Sequence, residues 1–230
     1  MNILTTRNPV IIPEAPQSKR IFLTKNTLIW KSPEDIKKFF GDKGVTVLDK
    51  VVNLNGMVFS GAKLPRSQNR QDENALGIKV MFLGLVLKNG WVEDIPGGIS
   101  VREKYSNFTN LTFTKIGEDA ISTVGERALG ISIQRCSFYN FGGDKAIQLN
   151  QADYAKIEDC KIFGGITGIR LQKDSYKTEK PVAWLINTEF IECETGMNAA
   201  GKIVVKTQNL KFSKVRKHVV LSNQAKIEKI

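Results

Sequence analysis

Residues 116 to 123, Ile-Gly-Glu-Asp-Ala-Ile-Ser-Thr, put two carboxylates, Glu118 and Asp119, side by side ahead of an apolar pair. Carboxylates so placed serve as hard-cation ligands or as acid–base groups. At the corner of a strand they are equally ordinary turn residues. Further along lie an Asp144-Lys145 pair and Arg170, cations able to hold an anion or stabilise developing negative charge. Residues 202 to 230 add Lys202, Lys206, Lys211, Lys214, Arg216, Lys217, Lys226 and Lys229 against the single acid Glu228, which is +7 of a net charge of +11. Within that basic stretch, Lys211, Lys214, Arg216 and Lys217 are the candidate anion-binding residues. The one histidine, His218, stands beside Arg216 and Lys217 with no acid flanking it, so a structural role is expected.

What positions these groups is a repeat. Short apolar runs recur around Trp91, Phe113, Phe138, Ile162, Phe190 and Phe212, at spacings of 22, 25, 24, 28 and 22 residues. A second run follows each, with inward residues read as Ile99, Ile121, Ile147, Ile169, Met197 and Val220, at spacings of 22, 26, 22, 28 and 23. The two registers drift together. Each period holds brief alternating strands divided by Gly, Asn or Asp, and no amphipathic helix. These features predict an all-β fold, a right-handed parallel β-helix over residues 45–230, in which each turn bonds only to its neighbours about 4.8 Å away. Ahead of it, "KSPEDIKKFFGDKG" predicts a capping helix within residues 32–44, with Ser32 as N-cap, Pro33 at the first helical position, Ile36, Phe39 and Phe40 on one face and Gly41 as the stop. Residues 1–31, with three of the seven prolines before residue 20, read as an extended arm.

In such a coil, residues one period apart become neighbours. Alignment on the inward isoleucines puts Asp119, Lys145 and Thr167 in one column with Gly97 below, Glu118 beside Asp144, and Ser122, Gln148 and Arg170 in an outward column. Dispersed charges thus converge on one strip. At this point "GEDA", "GDKAIQLN" and "FGGITGIRLQK" resemble family 3 of the pectate lyases, over about residues 50 to 200. The resemblance implies a compact right-handed β-helix, calcium held by Glu118 and Asp119, and Lys145 or Arg170 acting in β-elimination on an acidic polysaccharide. Two positions depart from that pattern. Gly97 stands where the family has a third calcium carboxylate, with Asp94 nearby, and Thr167 stands where it has a lysine.

Composition narrows the rest. A hydrophobic content of 41% and a charged content of 25% suit a folded domain, and no apolar run is long enough to cross a bilayer. Cys136, Cys160 and Cys193 lack metal-site spacing and read as reduced core residues. A basic chain favours polyanionic partners, but no aromatic platform accompanies the charge, so nucleic acid is disfavoured. Residues 1–20 carry no secretory pattern, which leads to the expectation of a protein made in the cytoplasm and released by lysis or within an assembly. The leading expectation is a non-catalytic structural or attachment module without a cofactor, of the virion decoration, cement or spike kind. Its partners would be other subunits of the assembly, including copies of itself in a trimer, and acidic polysaccharide. The alternatives are a calcium-dependent pectate lyase and a polyanion-binding module.

Overall fold

The computed structural model describes residues 13–17, 19–23, 27–61, 77–125, 128–139, 145–173 and 182–230. The chain winds as a parallel β-helix with three faces per turn. One face is an eight-stranded parallel sheet running from Thr27–Trp30 through Gly77–Val80, Ile99–Val101, Ile121–Thr123, Lys145–Leu149, Thr167–Lys173 and Thr195–Gly201 to Lys217–Ser222. The other two faces meet along a corner and belong to one 15-stranded sheet. The corner is made by left-handed residues at successive turns: Asn55, Asn89, Asn110, Arg135, Asp159, Asn187 and Asn209, with φ between 47 and 58°. Asparagine tolerates this region because its short amide bonds locally. Here the amides also bond to the turn below: Asn110 Nδ2 donates to Asn89 Oδ1 at 3.0 Å, Asn187 Nδ2 to Asp159 Oδ1 at 2.9 Å, and Asn209 Nδ2 to Asn187 Oδ1 at 3.1 Å.

Period-two alternation in each strand sends one residue inward per rung, and parallel register stacks like on like. On the eight-stranded face the column is Ile78, Ile99, Ile121, Ile147, Ile169, Met197 and Val219. Opposite it run Phe59, Val92, Phe113, Phe138, Ile162, Phe190 and Phe212. The Phe113 and Phe138 rings lie parallel with centroids 4.9 Å apart, close to the rung spacing. Two expected anchors shift by one residue. Trp91 pairs with outward Thr112 while Val92 faces the core, and Val220 pairs with outward Asn198 while Val219 continues the inward column. In both places two neighbouring residues are apolar, so hydrophobicity alone leaves the phase open. Cys136 and Cys160 are buried, unoxidised, and bonded through Sγ to the carbonyls of Phe108 and Ile133 at 3.5 and 3.6 Å.

The helix Pro33–Phe40 closes the first turn. Asp35 Oδ2 accepts the backbone N–H groups of Lys31 and Ser32 at 2.8 and 3.1 Å, and Gly41 N–H returns to the Lys37 carbonyl. Ile36 and Phe40 are fully buried, with Phe40 packed 6.0 Å from Trp30 and 5.6 Å from Phe59. The coil begins ahead of this helix: Arg20–Phe22 pairs with Val58–Ser60, and Thr27–Trp30 with Gly77–Val80. Arg20 also reaches the buried Glu93 at 2.5 Å. Residues 1–12 of the expected arm lie outside the described residues. No helix among the described residues is long and apolar enough to cross a membrane.

Candidate functional site

The eight-stranded face turns outward residues to solvent, and their register is set by the backbone ladder. Ser100, Ser122, Gln148, Arg170 and Asn198 follow one another as Cα partners, with Lys79 below Ser100. Three residues earlier in the strand, Lys145 pairs with Thr167 and Thr167 with Thr195. Asp119 occupies the matching place one turn below Lys145, with Lys145 Nζ 3.8 Å from Asp119 Oδ1. Both side chains are largely buried, exposed by 14% and 12%, so this pair is less screened than a surface ion pair.

A cleft of about 510 Å³ opens over this strip. Its walls hold the carboxylates of Glu118 and Asp119, the cations Lys79, Arg102, Lys145 and Arg170, and the small polar groups of Ser100, Ser122 and Gln148. Gly97 also lines it. Gln148 is oriented by a relay: its Nε2 donates to Asn150 Oδ1 at 3.2 Å, and Asn150 donates from Nδ2 to the Thr123 carbonyl at 3.0 Å. Arg170 Nε is buried and has no hydrogen-bond partner among the described residues.

The convergence expected from the repeat is therefore present for Glu118, Asp119, Lys145, Ser122, Gln148 and Arg170. Asp144 falls outside the described residues, and Asp94 sits at a corner with φ 56° and is not in the cleft wall. Sequence reasoning missed Lys79, Ser100 and Arg102. Extending the outward column back past Ile99 to Ile78 finds the first two, since each follows an inward isoleucine directly.

Among the described residues the donor set does not suit calcium. That ion takes six to eight oxygens. Here two carboxylates share the cleft with four cations, one of them 3.8 Å from Asp119. Among the described residues no group of three or more His, Cys, Asp or Glu side chains is placed to hold a metal.

The C-terminal bases Lys211, Lys214, Arg216 and Lys217 lie on the last turn, away from the cleft. Three of them stand over acids of the turn beneath. Lys211 is the Cα partner of Glu189, Lys214 Nζ bonds Glu192 Oε1 at 2.8 Å, and Arg216 reaches Glu194 Oε1 at 3.3 Å. His218 is exposed, and its ring stacks on Phe212 with centroids 4.5 Å apart.

Comparison with known protein families, curated proteins and solved structures finds no match for this chain. The parallel β-helix stands on the fold itself, and the likeness to pectate lyases rests on the quoted segments alone.

Proposed function

We propose that this protein is a non-catalytic attachment module, a β-helix serving a larger assembly of the virion decoration or spike kind, which holds an acidic saccharide in the cleft above Glu118 and Arg170. The observation that carries this reading is the cleft itself, where the cations Lys79, Arg102, Lys145 and Arg170 outnumber the carboxylates of Glu118 and Asp119. A uronate carboxylate accepts charge-assisted hydrogen bonds from such cations. Ser100, Ser122 and Gln148 present hydroxyl and amide groups suited to sugar hydroxyls. Such a groove on a stacked sheet is preorganised, so binding costs little reordering. The two carboxylates give direction: they repel acidic groups from one side of the cleft and accept hydroxyl hydrogens instead.

The lyase reading is favoured by one thing, the meeting of Glu118, Asp119, Lys145 and Arg170 in a single cleft. It is opposed by the poor calcium donor set. A single titration separates the two. Oligogalacturonate is added to the protein with calcium and with chelator, following both binding heat and ultraviolet absorbance of an unsaturated product. Attachment predicts saturable, calcium-independent heat, weakened about tenfold in Arg170→Ala, with flat absorbance. Calcium-dependent absorbance lost in Glu118→Ala establishes the lyase. Neither heat nor absorbance, with folded protein, removes both readings.

A further inference from the structure

Taken rung by rung, the cleft carries a charge sequence along the coil axis. Its outward column runs Lys79, Ser100, Ser122, Gln148 and Arg170, each the Cα partner of the next. Cations therefore stand at the two ends, four rungs apart, with three neutral hydrogen-bonding residues between them. At about 4.8 Å per rung, the end backbones are separated by about 19 Å. Both end residues are half-buried in the sheet surface, which limits how far their side chains swing. Arg102, two residues beyond Ser100, adds a second cation to the lower end.

The middle of the cleft has the opposite character. Glu118 and Asp119 precede Ser122 in the same turn, and Lys145, one turn above, stands 3.8 Å from Asp119. Among the described residues the middle is thus acidic, two carboxylates against one cation, between two cationic ends. This pattern restricts which acidic chain fits. An extended pyranose chain laid along the axis advances by a step close to one rung per sugar. With an acidic group on every sugar, it sets carboxylates beside Glu118 and Asp119, and like charge so juxtaposed costs affinity. With neutral sugars between its acidic ones, it brings hydroxyls there instead. Those donate to the two carboxylates and accept from the Ser122 hydroxyl and the Gln148 amide. We propose that the cleft selects a glycan lying along the coil axis with one acidic sugar in about four, the spacing of Lys79 and Arg170. One carboxylate binds Lys79 and Arg102, the next binds Arg170, and neutral sugars cross Ser122 and Gln148. This inference rests on the attachment reading and narrows it.

The test compares two glycans of equal length by titration calorimetry with the full chain. A deacylated gellan octasaccharide carries two glucuronates four sugars apart. A galacturonate octamer carries a carboxylate on every sugar. The salt is held at about 0.15 M, which screens diffuse attraction to a basic chain. Gellan should bind about tenfold more tightly, and Lys79→Ala and Arg170→Ala should each remove most of that advantage. Lys229→Ala, which deletes a charge outside the cleft, should leave it unchanged. If the galacturonate octamer binds as tightly as gellan, and Arg170→Ala weakens both, the spacing is overturned and the attachment reading stands. If Lys229→Ala weakens gellan as much as Lys79→Ala does, the attraction is diffuse and the spacing is again overturned. If neither glycan binds the folded protein, the attachment reading falls with it.

Discussion

Replacing Gly98 by alanine tests how rigidly the stack sets the cleft. Gly98 has φ 60°, and a Cβ built on it falls 2.1 Å from the Asp119 carbonyl oxygen and 2.7 Å from that of Ala120. Ordinary C···O contacts begin near 3.3 Å, so the neighbouring rung must move by about 1 Å. Neither obstacle is a flexible side chain. The left-handed conformation costs about 1 kcal/mol for a residue with Cβ, the forced separation about 1–3 kcal/mol, and weakening of the 3.0 Å bond from Ile99 N–H to the Ala120 carbonyl about 1 kcal/mol. Together Gly98→Ala loses about 3–5 kcal/mol, a large part of the stability of a typical domain.

Gly56→Ala is the matched control. Gly56 has φ 76° and nothing within 4 Å of a built Cβ, so only the conformational cost of about 1 kcal/mol remains. Urea unfolding of both variants, with unchanged m-values, measures the difference. Because the displaced atom is the Asp119 carbonyl, Gly98→Ala should also weaken oligogalacturonate binding under conditions where the variant stays folded. If the two variants lose equal stability, the rungs have slack at this point, and the claim that backbone stacking fixes the cleft is wrong.

Other perturbations follow from the same contacts. Phe138→Ala removes a fully buried ring from the core column and should cost about 3–5 kcal/mol in chemical denaturation, against about 1 kcal/mol for Phe138→Leu. Burial pushes the Cys160 thiol up to about 12 and Cys193 to about 11, and raises Cys136 as well. Folded values above the unfolded thiol range mean that stability is intact below pH 8 to 9 and is lost as pH rises toward 12. Between pH 9 and 11 the fall should be shallower by about 1.4 kcal/mol per pH unit for each cysteine replaced by alanine. A thiol reagent at pH 8 should find no reactive cysteine until denaturant is added. Asn187→Asp sets a second carboxylate against Asp159, where an amide now donates at 2.9 Å. It should cost about 1 kcal/mol at neutral pH, and thermal melts should show the loss recovered as pH drops through the carboxylate range, since like charge raises the folded pKa.

How much of this was legible in the chain depends on whether a residue type has one reason or two to occupy its place. Ile99, Ile121, Ile147 and Ile169 could be read because a β-branched residue between a Gly or Ala and a polar residue has a single phase. The choice between Trp91 and Val92, or between Val219 and Val220, could not be settled by hydrophobicity, and only the hydrogen-bond ladder decides it. The asparagine corner was hidden because Arg135 and Asp159 interrupt it, although the backbone there has the same conformation. Glu118, Asp119, Lys145 and Arg170 were visible as a cluster because they share the isoleucine register. Lys79 and Arg102 belong to earlier rungs where no carboxylate drew attention. The C-terminal bases read as a free cationic face only while charge was summed along the sequence. Their acids stand 22 residues earlier, one turn below.

That last point ties the cleft and the C-terminal bases to one property of the fold. In a parallel stack each outward side chain has its chemical neighbours above and below, in its own column, more than beside it along the strand. In the middle of the coil both neighbours exist, so Gln148 lies between Ser122 and Arg170 and its geometry is held from two sides. A group held in this way can bind a ligand without first being ordered. Among the described residues Lys214 and Arg216, on the last rung, meet Glu192 and Glu194 below and keep 55% and 74% exposure. Substitutions in the middle of the coil should therefore change the shape of a site, as at Gly98. Substitution of Lys214 or Arg216, exposed ends of such columns, should leave the fold intact.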